Sequence, residues 1–136
     1  MYDPDLVRPM REEITRLGVK ELMTPQEVDA TVAQPGTTLV FVNSVCGCAA
    51  GGARPGLRLA MMHGKKPDRI VTVFAGMETQ AVEKAREYFR PYRPSSPQMA
   101  LLKDGKVVKM IQRQDIEGKD PAMIAKDLSD AFDKFC

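Results

Sequence analysis

The chain has 136 residues, 43% hydrophobic and 28% charged, the proportions of a soluble globular protein with enough chain for one proper core. Its 20 basic and 18 acidic residues are interspersed and leave a net charge of +2, which argues against an electrostatic nucleic-acid binder. No apolar run approaches the roughly 20 residues that span a bilayer, and the charged start MYDPDLVRPMREE lacks the apolar stretch of a signal peptide. A cytoplasmic protein with no membrane partner is expected, in a compartment where structural disulfides are rare.

Leu6, Met10, Ile14 and Leu17 recur at spacings of three and four, an amphipathic helix that Pro9 should open and Gly18 close. A second helix starts at TPQEV, where Thr24 caps, Pro25 suits the first helical position and Glu27 completes a capping box. The turn QPG at 34–36 ends it. TTLVFVNS, 37–44, is a continuous β-branched and apolar run, as in a strand buried on both faces. After the sequence Cys46-Gly47-Cys48, the run 49–64 reads as a helix that Pro55 should kink. RIVTVFAG, 69–76, is a second buried strand, and 78–90 a helix with Val82, Ala85 and Phe89 facing inward. Two further strand-like runs flank Asp104-Gly105, a strong hairpin signal. The C-terminal helix places Ile124, Leu128, Phe132 and Phe135 on one face.

From residue 37 the order is strand, helix, strand, helix, hairpin, helix. A right-handed crossover makes the first two strands parallel, and the hairpin adds antiparallel ones. The expected architecture is a single α/β domain, residues 1–136, with a mixed four-stranded sheet flanked by helices in the topology of the thioredoxin fold. Residues 1–36 would be an N-terminal helical extension of a core at 37–136.

In open α/β sheets, sites form at the carboxyl ends of parallel strands. Cys46 stands there, ahead of a helix whose unpaired N–H groups and dipole favour a thiolate. It is the candidate nucleophile. Cys48 is the candidate resolving thiol, which would attack the mixed disulfide made at Cys46 and release the substrate as a thiol. Gly47 tolerates the backbone needed to close a ring across one residue, and the strain of such a ring suits an oxidising couple. Gly51 and Gly52 should leave room beside the sulfurs for a bulky partner. Ser96-Pro97 precedes the next strand, where a proline is tolerated and can be cis. Likeness to thioredoxin-like folds implies a cis Pro97 packed against the cysteines, with the Ser96 backbone offered to an extended substrate.

Two other readings of the pair stay open. Both cysteines are good core filler, and with Cys136 and the sole histidine, His63, they count as metal ligands in a metal-binding or metallochaperone module. The one-residue gap is tighter than a usual zinc pair, and His63 falls at the far end of the following helix, as a solvated helix-end residue. Three cysteines in total do not make a disulfide framework. Cys136, the last residue, should be frayed and dispensable for chemistry.

FVNSVCGCAAGGARP (41–55), VTVFAG (71–76), REYF (86–89), PSSPQMALLKDGKVV (94–108) and the terminal AFDKFC together resemble the bacilliredoxins, thioredoxin-like proteins with a CGC motif. The resemblance runs nearly the whole chain. It implies removal of the low-molecular-weight thiol bacillithiol from S-thiolated client proteins, with disulfide isomerase activity beside it. In that activity Cys46 attacks and Cys48 resolves, bacillithiol is a thiol co-substrate, and there is no bound cofactor or metal.

Overall fold

The computed structural model describes all residues from Met1 to Cys136. The helix α1 (Pro4–Thr15) opens the chain and is followed by the short strand β1 (Lys20–Glu21), α2 (Pro25–Val32) and β2 (Thr37–Asn43). A π-helical turn, Ala49–Ala53, leads into α3 (Arg54–Ala60), then β3 (Arg69–Phe74), α4 (Thr79–Tyr88), β4 (Gln98–Lys103) and β5 (Lys106–Ile111). A single turn, α5 (Arg113–Ile116), precedes the long α6 (Pro121–Phe135).

The strands form one sheet in the order β1-β3-β2-β4-β5. β1, β3 and β2 run parallel, and β4 and β5 are antiparallel additions. The sheet therefore has five strands and not four. The extra one comes from the segment read as a purely helical extension: Lys20 and Glu21 pair with Val71 and Thr72. A two-residue strand lacks the alternation by which strands are found in sequence.

β2 is buried along its whole length, and its period of two separates two cores. Leu39 and Phe41 face α3 and α6, with Leu57, Ile124, Leu128 and Phe132. Val40 and Val42 face α2 and α4, with Val28, Val32, Val82 and Phe89. The first 36 residues feed both cores, Ile14 and Val19 into one and Leu22, Val28 and Val32 into the other.

Local chemistry explains where the helices differ from expectation. α1 begins at Pro4, because the Asp3 carboxylate accepts from the Asp5 N–H at 2.9 Å, and Pro9 lies inside the helix. Its buried positions are Val7 and Ile14, whereas Leu6 is exposed. α2 is capped as expected, with the Glu27 N–H donating to Thr24 Oγ1 at 3.1 Å. Around Pro55 the helical path is continuous but not regular. The turn before it is wound one residue wider, the Arg54 N–H bonding to Ala49 O, and it passes directly into α3, with Ala53 and Arg54 both keeping right-handed helical dihedrals and proline in the first turn. Widening carries the carbonyl four residues back away from the proline ring. At the hairpin, Asp104 and Gly105 both have positive φ, 50° and 80°, the type I′ geometry that Asp-Gly favours.

Candidate active site

β2 ends at Asn43, and the chain turns sharply through Ser44 and Val45 into Cys46-Gly47-Cys48. Cys46 is the hinge of this turn. Its N–H donates to Ser44 Oγ at 3.0 Å, and its carbonyl accepts from the N–H groups of Ala49 at 2.9 Å and Ala50 at 3.2 Å. The Cys48 N–H, two residues on, donates to Cys46 Sγ at 3.3 Å. All three cysteines are free thiols. Cys48 and Cys136 both pack at the margin of the α3/α6 core.

The two sulfurs are pushed in opposite directions. Burial alone would raise the Cys46 thiol. The Cys48 N–H, the Cys48 thiol, the Arg113 guanidinium and the Ala49 N–H together outweigh it and hold Cys46 below its ordinary value. Burial raises Cys48, and so do the hydrogen bond it gives Cys46, the charge on Cys46 and the Glu117 carboxylate, against a smaller pull from Arg113. Of the two, Cys46 is the more readily ionised and Cys48 the one held as a thiol.

Arg113 was not legible in the sequence, since it belongs to α5, whose single turn carries no periodic signal. Its N–H donates to Ser95 Oγ at 3.2 Å, and its guanidinium is paired with Glu117 at 2.6 Å. α5 is closed by the Gln112 N–H donating to Asp115 Oδ2 at 2.9 Å. We expect Arg113→Gln to raise the Cys46 midpoint, because a cation that favours the thiolate is lost. Alkylation of Cys46, followed against pH, should slow several-fold at neutral pH and reach the wild-type plateau in alkali. An unmoved midpoint would exclude Arg113 from the site's electrostatics.

Ser96-Pro97 is a cis bond, and so is Arg90-Pro91. Antiparallel pairing sets Gln98 opposite Val42, so Pro97 and Ser96 continue toward the sheet end where Asn43 and Ser44 leave β2. Two clefts lie beside α5, and only the smaller is lined by a cysteine. One of about 250 Å³ is lined by Gly47, Cys48, Gly51, Gly52, Glu117 and Lys119. The other, of about 550 Å³, is lined by Tyr92, Pro94, Ser95, Gln112, Arg113 and Glu117, so Glu117 stands between the two. The larger falls in the size range of small-molecule sites, roughly 300–1,000 Å³.

The glycines divide differently from expectation. A Cβ on Gly47 or Gly51 would meet nothing within 4 Å, so the dithiol form has no steric need for glycine at 47. Gly52 is small for packing as well, since a Cβ there would lie 3.0 Å from Ile124 Cδ1, while it also lines the cleft beside Cys48. Cys136 is not frayed. Its N–H bonds to Phe132 O at 2.9 Å, and it stands at the far end of α6 from the Lys119–Ile124 segment that meets the π turn. His63 is tied to Asp133 at 2.8 Å, and no three His, Cys, Asp or Glu side chains are grouped to hold a metal.

A sheet end presenting two half-buried cysteines one residue apart, the first with its pKa lowered and the second with its pKa raised, in this topology, defines a thiol-disulfide oxidoreductase of thioredoxin-like fold. Solved structures share the architecture: reduced Schistosoma mansoni thioredoxin pre-protein has a TM-score of 0.58 at 19% identity, over 87% of this chain and 98% of that one. Mitochondrial thioredoxin 3 from Saccharomyces cerevisiae has a TM-score of 0.55 at 20% identity, over 83% and 95%. At the sequence level, the disulphide isomerase family profile matches residues 2–136. A bacilliredoxin of Halalkalibacterium halodurans is 50% identical over 132 residues, 97% of this chain and 91% of its own. One from Cytophaga hutchinsonii is 49% identical over 134 residues, 98% and 99%. The chain belongs to the bacilliredoxin family.

Proposed function

We propose that this oxidoreductase removes bacillithiol from S-thiolated client proteins in the cytoplasm. The observation that carries the chemistry is the Cys48 N–H directed at Cys46 Sγ, with the opposite displacement of the two thiols. The Cys46 thiolate attacks the bacillithiol sulfur of the mixed disulfide. A Cys46–bacillithiol disulfide forms, and the client leaves as a thiolate.

That step removes the charge on Cys46 that had held Cys48 protonated, and Cys48 loses its hydrogen-bond acceptor. Cys48 therefore ionises more readily once it is needed. Its thiolate attacks Cys46 Sγ, bacillithiol leaves as a thiolate, and a Cys46–Cys48 disulfide remains. Two electrons from a further thiol reductant restore the dithiol. Gly47 gives this ring closure its freedom, and the Ser96-Pro97 segment supplies the edge along which the client chain lies. The reaction uses thiols alone, with no bound cofactor or metal, and Cys136 takes no part. Disulfide isomerisation, which the name of the matching family favours as a second activity, starts from a different bond. The Cys46 thiolate attacks a disulfide within the client, and a Cys46–client mixed disulfide forms with release of one client thiolate. Another client thiolate then attacks the client sulfur of that bond and expels Cys46 as thiolate.

Reduced protein incubated with a bacillithiolated client should release the client thiol, read by intact mass, faster than it does with a glutathionylated one. Equal rates on both, or none on the bacillithiolated client while insulin disulfides are reduced, would sink the substrate assignment.

A further inference from the structure

Arg54 is 3% exposed, in a stretch otherwise made of alanine, glycine and proline. A buried arginine in such company needs partners for its donors, and two of its three acceptors lie where β2 gives way to the CGC turn. Its Nη1 donates to Ser44 O at 2.8 Å and to Asn43 Oδ1 at 3.1 Å, and its Nε donates to Glu13 of α1 at 2.7 Å. Asn43 is itself buried. Its Oδ1 also accepts from the Ser44 N–H at 2.9 Å, and its Nδ2 donates to Met10 O at 3.1 Å. Four segments meet at this one guanidinium: α1, the end of β2, the turn and the start of α3.

We infer that Arg54 is a positioning residue for the attacking thiol, fixing Ser44 so that its Oγ receives the Cys46 N–H and the turn aims the Cys48 N–H at Cys46 Sγ. No bond in the set reaches a sulfur, so Arg54 acts through chain geometry. The charged groups bearing on the sulfurs are Arg113 of α5 and Glu117 just after it. Planar geometry matters: one guanidinium holds a carbonyl, an amide oxygen and a carboxylate along two directions, which an ammonium at the same place does not reproduce.

The inference rests on Cys46 being the attacking thiol. Its test is alkylation of the reduced protein by iodoacetamide, mapped by peptide mass and followed against pH, which needs neither bacillithiol nor a client. Arg54→Met and Ser44→Ala should each slow Cys46 alkylation about tenfold or less at neutral pH by moving its midpoint toward that of an ordinary thiol. The alkaline plateau should stay in place. The double variant should be no slower than the slower single one, because both remove the same constraint. Arg54→Lys should recover the rate only in part.

A wild-type midpoint in Ser44→Ala overturns the inference, as do multiplying effects in the double variant or complete recovery by lysine, which would make charge alone sufficient. Should Arg54→Met fail to fold, Ser44→Ala and Arg54→Lys decide the matter. Faster alkylation of Cys48 than of Cys46 would instead remove the reading of the active site itself.

Discussion

Cys46→Ser should lose essentially all activity on a protein mixed disulfide, whereas Cys48→Ser should still attack and then stall. The asymmetry follows from the site. Only Cys46 receives an N–H at its sulfur and stands below its ordinary pKa, while Cys48 is held protonated beside it. The first exchange needs one thiolate and the second needs the other. Cys48→Ser should therefore accumulate the small thiol on Cys46, seen by intact mass as an adduct that reductant removes. Turnover should persist only as far as free thiol resolves it. An adduct on Cys48 of the Cys46→Ser protein, with Cys48→Ser unmodified, would reverse the roles and undo the argument from the helix terminus.

Gly56→Val should cost about 3 kcal/mol of stability, the upper end for an overpacked core. A Cβ at 56 would lie 2.8 Å from Ile124 Cγ2, 2.9 Å from Ile124 Cβ and 3.3 Å from Pro121 O. Ile124 Cβ is fixed to the α6 backbone, so no rotamer relieves the contact and the helix itself must move. α3 and α6 are the helices packed on Phe41 and Leu39, and their separation sets that core's density. Gly51→Ala, in the same stretch, meets open space and should leave stability undiminished. Urea midpoints at constant slope would measure both. A Gly56→Val midpoint at or above wild type would show that the two helices are not in tight approach.

The difference between those two glycines marks the border of what a sequence states about itself. GGARPG shows small residues but not which neighbour each one faces. Gly52 and Gly56 are small because α6 passes over them, and the partner, Ile124, is remote in the chain. Arg54 was not singled out from the sequence, since Glu13, Asn43 and Ser44 reach it only once α1 and β2 are folded together.

By itself the sequence determined the elements whose signals are local. The buried run 37–43 made β2, Thr24 capped α2, Asp104-Gly105 turned the hairpin, and two cysteines one residue apart stood at the strand end. These depend on side-chain period, cap chemistry and allowed dihedrals, all set within a few residues. The tertiary structure alone decided the fifth strand, whose two residues acquire meaning only by pairing with Val71 and Thr72. It alone brought Arg113 to the sulfurs, because Coulomb interactions depend on distance in space and α5 reaches the CGC turn only after β4 and β5 have closed the sheet.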